Sequence, residues 1–261
     1  MITPADIQRI KDLLPTSLGS DELRSSIASD ILRRSVFSAR MESARYLAKI
    51  REVCAQVSEG SINQATARAR LLEALAQMGH SPLDGGGLAN PASIRRLNLI
   101  VDTHRQMAAS VAKLNEETPA TLEQWPAWRL TRMEGRGVPR PDWAKRWQAA
   151  GDACGWEGAL PNSGIYPDWD MVALKNSPIW QELGNGAGGF RDTLGNPFPP
   201  FAFGSGLDWE DVDAEECSVL GLASPSDQNV ETPTLSPGER DIAEAIKRLG
   251  GDFRSIAEGL V

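Results

Sequence analysis

SPIWQELGNGAGGFRDTLGNPFPPFAFGSGLDWEDVDAEECSVLGL, residues 177–222, departs in composition from the helical sequence that precedes it. At its centre Pro197, Phe198, Pro199, Pro200, Phe201, Ala202 and Phe203 place three prolines and three aromatic rings in seven residues, with Gly204 and Gly206 directly behind. Proline fixes φ and removes a backbone donor, so the segment is neither a long helix nor a central strand. Its phenylalanines are too apolar for a solvated linker. The reading is an ordered, irregular loop whose rings Phe198, Phe201 and Phe203 plug into a core.

The surroundings of this loop differ from the rest of the chain. All eight tryptophans fall between Trp125 and Trp209, where glycine and proline are frequent and helical periodicity fades. A helix over residues 141–150 places Trp143 and Trp147 on one face, and another covers residues 178–183. Residues 127–133 and 171–174 read as short strands. Each buried aromatic withdraws roughly 150–250 Å² from water, so a core of indole rings can hold together a domain poor in regular structure. Residues 120–222 are therefore expected to form a small α+β domain.

Residues 1–119 read as helical. Ile7, Ile10, Leu13 and Leu14 share one face of a helix over 4–14, and a second helix covers 21–34. Apolar residues recur at helical spacing from Ser35 to about Ser58, through Phe37, Met41, Leu47 and Cys54. Gly60 ends that helix, and Ser61 serves as N-cap for the next, whose inner face is Ile62, Ala65, Ala69, Leu72 and Leu75. A turn this short predicts antiparallel packing of the pair. Asn90 and Pro91 open a long helix through His104 to Leu114, and Pro119 lies past its end. Behind residue 222, residues 223–238 read as a flexible linker and 239–261 as a C-terminal amphipathic helix. The expected fold is α+β: a mainly helical N-terminal half followed by a Trp-rich, loop-rich small α+β domain.

Charge and composition bound the function. The net charge is −8. Residues 1–120 carry 15 basic and 13 acidic side chains, whereas residues 121–222 carry 8 and 15. An acidic surface disfavours a free-standing nucleic-acid binder. Arg40, Arg45, Arg51, Arg68 and Arg70 of the helical half form a solvated face that is open to a partner protein or to DNA. No apolar run approaches the roughly 20 residues that span a bilayer. The acidic residues among the first thirty argue against a secretory signal, and three widely spaced cysteines argue against a disulfide framework.

A search for chemistry gives no catalytic residue, no cofactor and no metal. The only histidines are His80, behind a helix end, and His104, on the apolar face of a long helix. No G-x-S-x-G elbow is present, and Gly204-Ser205-Gly206 reads as a turn. Cys54, Cys154 and Cys217 lack zinc-site spacing. Gly184, Gly186 and Gly189 satisfy G-x-G-x-x-G, but a helix precedes them where dinucleotide binding needs a strand, so they read as a surface loop. Asp213 reads as the cap of a short helix with Glu215 and Glu216 in its first turn. Asp168, Asp170, Asp208 and Asp211, set among tryptophans, leave a polysaccharide-acting enzyme as an alternative.

VFSARMESARYLAKIREVCAQVSEGSINQATARARLLEALAQMG, residues 36–79, resembles the helical N-terminal part of tailed-bacteriophage minor head proteins. PAWRLTRMEGRGVPRPDWAKRWQAAG, MVALKNSPIWQELG and NPFPPFAFGSGLDWEDVDAEECSVLGL extend the likeness, so that residues 30–222 resemble the phage head morphogenesis proteins of the Mu F type (MuF-like). The sequence keeps the family's paired prolines as Pro199 and Pro200. It carries Phe201, Phe203 and Gly204 where many relatives have His and Cys, which removes any inherited metal or cysteine chemistry. The resemblance implies a non-enzymatic structural component of the virion, in head or neck. It implies a few copies near the portal vertex or head interior, assisting head assembly and genome packaging or delivery. The partners it implies are portal or major capsid protein, with packaged DNA as a further contact and no membrane. A capsid-bound, scaffold-like protein that docks through its C-terminal helix is a further alternative.

Overall fold

A computed structural model of the chain describes residues 2–81, 87–132, 142–155, 171–222 and 230. Among these residues, ten helices accompany one two-stranded and one three-stranded sheet, an α+β fold with a helical N-terminal half. The chain divides into two compact units, and the division falls between Ala112 and Lys113. The expected linker and C-terminal helix, Val230 apart, lie outside the described residues.

The helical unit opens with α1 (Pro4–Ile10). Thr3 Oγ1 accepts from the Asp6 N–H, and the Asp6 carboxylate accepts from the Thr3 N–H, a reciprocal capping box with proline at the first helical position. The helix is shorter than the periodicity predicts. Lys11 takes an extended backbone, and β1 (Asp12–Leu13) follows, paired in parallel with β2 (Ser35–Val36). Ile10 therefore faces solvent at 44% exposure. The helix expected over 21–34 is two, α2 (Ser20–Ser26) and α3 (Ser29–Arg34), because Ile27 adopts φ −106° and ψ 132° behind two weak helix formers, Ser25 and Ser26. Leu23, Ile27, Ile31 and Leu32 are nonetheless all buried, as their spacing requires.

The long helix expected from Ser35 is α4 (Ala44–Ser58), capped by Ser43, whose Oγ accepts from the Tyr46 N–H at 3.2 Å. Residues ahead of it mimic the helical period from other conformations. Val36 is on a strand, Phe37 and Met41 are buried from a loop, and Arg40 has φ 55°. Asn63 rather than Ser61 caps α5 (Gln64–Ala76), accepting from the Thr66 N–H at 2.8 Å; the Ser61 hydroxyl donates back to the Gln56 carbonyl. The buried face is Ala67, Leu71 and Leu75, and Ala65 and Ala69 are exposed. Helices α4 and α5 share one core with Leu97, Ile100 and Val101 of α6 (Ile94–Glu116).

Helix α6 starts at Ile94, not at Pro91. Ser93 Oγ accepts from the Arg96 N–H, while Asn90 uses its side-chain oxygen on the Ala92 N–H. Arg96, 8% exposed, fixes the chain on both sides of it by donating to the carbonyls of Leu88, Ala89 and Ala39 and to Ser38 Oγ. Two turns further on, His104 Nε2 lies 2.9 Å from the Phe37 carbonyl oxygen, which can only accept, so Nε2 carries the proton. Burial and nearby Lys11 push the imidazole down to about 3, and it is neutral in the core.

In the second unit, Pro119 lies past the end of α6, as expected, and opens a further helix, α7 (Pro119–Gln124), behind the Thr118 cap. The sheet order is β4 (Val172–Leu174), β3 (Ala127–Arg132), β5 (Leu207–Val212), all antiparallel. Strands β3 and β4 fall where expected; β5 was hidden by its three charged positions among LDWEDV. Helices α8 (Trp143–Cys154) and α9 (Ile179–Asn185) overlap the expected ones, and α10 (Ala214–Val219) has the foreseen Asp213 cap, whose Oδ1 accepts from the Glu216 N–H at 2.8 Å.

Lys11 offers a test of the helical core. Its side chain is buried and burial pushes the ammonium down from 10.5 to about 8. The unfolded chain holds more protons than the folded one between those values, so stability rises with pH across that window and the full penalty applies below it. Lys11→Met is expected to stabilise the helical unit by roughly 3 kcal/mol at neutral pH. The gain should shrink steadily as urea unfolding is repeated from pH 8 upwards.

Candidate functional site

The segment singled out in the sequence, residues 196–206, is where the second unit's elements converge. The backbone around it closes like an irregular hairpin. The Leu194 N–H donates to the Phe201 carbonyl at 3.0 Å and the Phe203 N–H to the Asp192 carbonyl at 3.1 Å, around a bridge between Thr193 and Ala202. Asn196, fully buried, donates through Nδ2 to the Pro200 carbonyl at 3.3 Å. Pro199, Pro200 and Gly206 are buried, whereas Pro197 and Gly204 are half-buried. Gly204 and Gly206 turn the chain at φ 57° and 67°, a region open to glycine at little cost.

Phe198 and Phe201 have no exposed surface, as expected. Phe203 is half-buried, which corrects the expectation that all three rings are core. Strand alternation would keep Phe203 on the face of Phe201, but the extended segment ends at the Ala202 bridge and Phe203 already lies on the turn behind it.

Phe201 enters a chain of aromatic contacts centred on Trp180 of α9. The two rings stack at 5.9 Å, 18° from parallel. Trp180 also meets Trp147 at 5.2 Å, Trp209 at 5.8 Å and Trp128 at 6.0 Å, each edge to face. Trp128 and Trp209, diagonal neighbours across β3 and β5, stack at 3.7 Å. The Trp180 indole N–H donates to the Leu174 carbonyl at 2.9 Å, satisfying the polar edge of a ring buried among others.

The G-x-G-x-x-G run serves this packing. A Cβ on Gly184 would lie 1.8 Å from the Asn196 carbonyl oxygen, and one on Gly186 would lie 2.2 Å from that of Phe190. Gly184 is buried within α9 and its carbonyl accepts from the Gly195 N–H, so only the later residues of the run behave as the expected surface loop. The glycines admit a close approach of two backbone segments of the chain itself.

Around the rings lie two charged assemblies. Arg146 of α8, 5% exposed, pairs with Asp142 and with both oxygens of Asp192, and its guanidinium covers the rings of Phe190 at 4.2 Å and Trp143 at 4.9 Å. Lys175, directly after β4, is the centre of the other. Its ammonium lies 2.6 Å from Glu117 Oε1 and 2.9 Å from Asp211 Oδ1, and 5.2 Å from the Trp128 ring centre. Asp211 also accepts from the Trp128 indole N–H and pairs with Lys113 at 3.1 Å. Partial burial pushes the Asp211 carboxyl up, but Lys175 and Lys113 outweigh it and hold it below the usual carboxylate range. The sequence reading missed Lys175 and Glu117; the available signal was a lysine closing the apolar run Met171-Val172-Ala173-Leu174.

The other acidic candidates have different surroundings. Asp208 Oδ1 accepts from the Trp209 backbone N–H, and burial raises its carboxyl. Glu216 pairs with Arg129. Asp168 and Asp170 lie outside the described residues.

The five arginines do not make a single solvated face. Arg51 donates to the Lys11 carbonyl at 2.8 Å, Arg68 to Asn98 Oδ1 at 3.0 Å and Arg70 to Gln56 Oε1 at 2.5 Å, each linking two elements of the helical unit. Arg40 and Arg45 are exposed. Cys54 and Cys217 are buried thiols, pushed up by burial to about 12 and about 11, and Cys154 is half-buried with its thiol directed at the Gly151 carbonyl. Among the described residues no group of three or more His, Cys, Asp or Glu is placed to hold a metal ion, and no helix is long and apolar enough to cross a membrane.

No protein-family model matches the chain, and comparison with curated proteins and with solved structures gives no match.

The loop geometry sets a stability order. Phe201→Ala is expected to cost about 3–5 kcal/mol as a fully buried aromatic truncation, and Phe203→Ala less than half of that. Gly184→Ala is expected to cost about 3 kcal/mol or more, because backbone must move to admit the methyl group. Urea unfolding of the three variants, followed by tryptophan fluorescence, checks the order; equal effects for Phe201 and Phe203 would contradict it.

Proposed function

We propose that this chain is a structural minor head protein of a tailed phage, bound at the portal vertex or on the head interior and assisting head assembly and genome packaging or delivery. The observation that carries the reading is the likeness of residues 30–222 to head morphogenesis proteins of the Mu F type, above all in the Pro199-Pro200-Phe201-Ala202-Phe203 segment. The structure supports it in one respect. The loop that carries the paired prolines is built into the aromatic core through Phe198 and Phe201, a packing role that fits a structural protein.

The partners of this reading are portal or major capsid protein, with several copies set by the assembly and packaged DNA as a further contact. Arg40 and Arg45 are the arginines available to such partners, since Arg51, Arg68 and Arg70 are engaged within the helical unit. The carboxylates set among tryptophans lend the polysaccharide-acting alternative little: Asp211, beside the Trp128 indole, is held between Lys175 and Lys113.

Quantitative mass spectrometry of purified procapsids and mature heads tests the proposal. The chain is expected in the particles at far fewer copies than the major capsid protein. Its absence from both kinds of particle would remove the reading. Arg40→Glu with Arg45→Glu is expected to lower incorporation severalfold while leaving the fold intact by circular dichroism, because reversing two exposed charges acts on association and hardly on the core.

A further inference from the structure

We propose that Lys175 and Asp211 are the two halves of an intramolecular isopeptide bond, with Glu117 as the proton carrier that forms it. Three observations meet here. The amine, the carboxyl and a second carboxyl are already in contact: Lys175 Nζ is 2.9 Å from Asp211 Oδ1 and 2.6 Å from Glu117 Oε1. The amine and the carrier are withdrawn from water, with side chains of Lys175 and Glu117 only 2% and 9% exposed. Each carboxyl is also held by a further donor, Asp211 by the Trp128 indole N–H at 3.0 Å and Glu117 by the Thr121 hydroxyl at 3.0 Å.

Strand register explains how the groups come together. Asp211 on β5 faces Trp128 on β3, and Trp128 faces Ala173 on β4. Lys175 lies two residues beyond Ala173, so the side chains of Lys175, Trp128 and Asp211 emerge on one face of the sheet. The Trp128 ring lies beneath the ammonium at 5.2 Å. A bond between Lys175 and Asp211 would therefore cross β3 and tie the two outer strands to each other.

The chemistry needs no added reagent. Asp211 rests as a carboxylate between Lys175 and Lys113, and the reaction begins when Lys175 passes a proton to it within the contact, leaving a neutral amine and a carboxylic acid. The Nζ lone pair attacks Asp211 Cγ, a C–N bond forms, and the carbonyl π pair moves onto oxygen. Glu117 takes one proton from the new ammonium-like nitrogen and delivers it to the hydroxyl. The C–O bond breaks, water leaves and the carbonyl re-forms. Ammonium and carboxylate become amide and water, Glu117 ends as it began, and no atom changes oxidation state. Fixed contact between the reactants supplies the effective concentration that free lysine and aspartate lack, and a positioned carboxylate supplies the proton transfers.

Intact mass and peptide mapping of the purified full chain test this. The folded chain, after prolonged incubation, is expected to be lighter than its sequence by one water. Proteolysis should yield a branched peptide joining Lys175 to Asp211. Lys175→Arg should have its full sequence mass. Glu117→Gln keeps both reactants and an acceptor for Nζ but cannot carry the proton, and it too should remain unlinked. A wild-type chain at full mass with only unbranched peptides overturns the proposal, as does a water loss that maps to any other residue. A Glu117→Gln chain that links as fast as the wild type overturns the role given to Glu117.

Discussion

Trp180 is the ring on which the second unit depends. Three indoles and one phenyl ring pack against it, contributed by α8, β3, β5 and the residues 196–206 loop. Among the described residues of this unit, 15 lie in strands, from β3, β4 and β5 together, so backbone pairing alone fixes little of the remainder. Large rigid rings suit that role, because each buries much area for the loss of two side-chain torsions. The same arrangement leaves little tolerance behind Trp180. Its helix can approach the loop only because residue 184 is glycine, and the Asn196 amide is turned inward, where Nδ2 donates to the Pro200 carbonyl.

The helical unit follows a different logic. Its core is aliphatic, and its ends are fixed by short-range polar caps at Thr3, Ser43, Asn63 and Ser93. Longer connections are fixed by arginine side chains that reach backbone carbonyls: Arg96 holds the segments at 38–39 and 88–89, and Arg51 holds the residue before β1. Guanidinium groups satisfy several acceptors at once, which is what irregular segments between helices offer in excess. Arginines that a sequence presents as a stripe can thus be absorbed into the fold.

How much of this could be read in advance follows from what decides each feature. Helix existence was legible because apolar spacing is local, and α4, α5, α6 and α8 all stand near their expected places. Boundaries were less so. Asn63 and Ser61 both suit an N-cap, and the choice between them rests on the turn at Gly60, which spends the Ser61 hydroxyl on Gln56. Residues 35–43 look helical because Val36, Phe37 and Met41 are buried at near-helical intervals, while the pairing of Val36 with Leu13 is a contact across more than twenty residues that no local pattern records. The aromatic loop was legible as core because prolines and phenylalanines together have few other uses. The outward turn of Phe203 depended on a bridge between Thr193 and Ala202, and the Lys175 assembly depended on three segments far apart in sequence.

Strand β5 forms one border of its sheet. The Leu130 N–H is committed to Met171, so the opposing residue, Trp209, turns its own N–H and carbonyl away from β3. Neither is left open: Asp208 Oδ1 takes the N–H and the Lys113 ammonium reaches the carbonyl at 3.4 Å. An unguarded border is a template on which another chain can add a strand. One aspartate and one lysine spent at the middle of β5 take both Trp209 groups away from such an added strand.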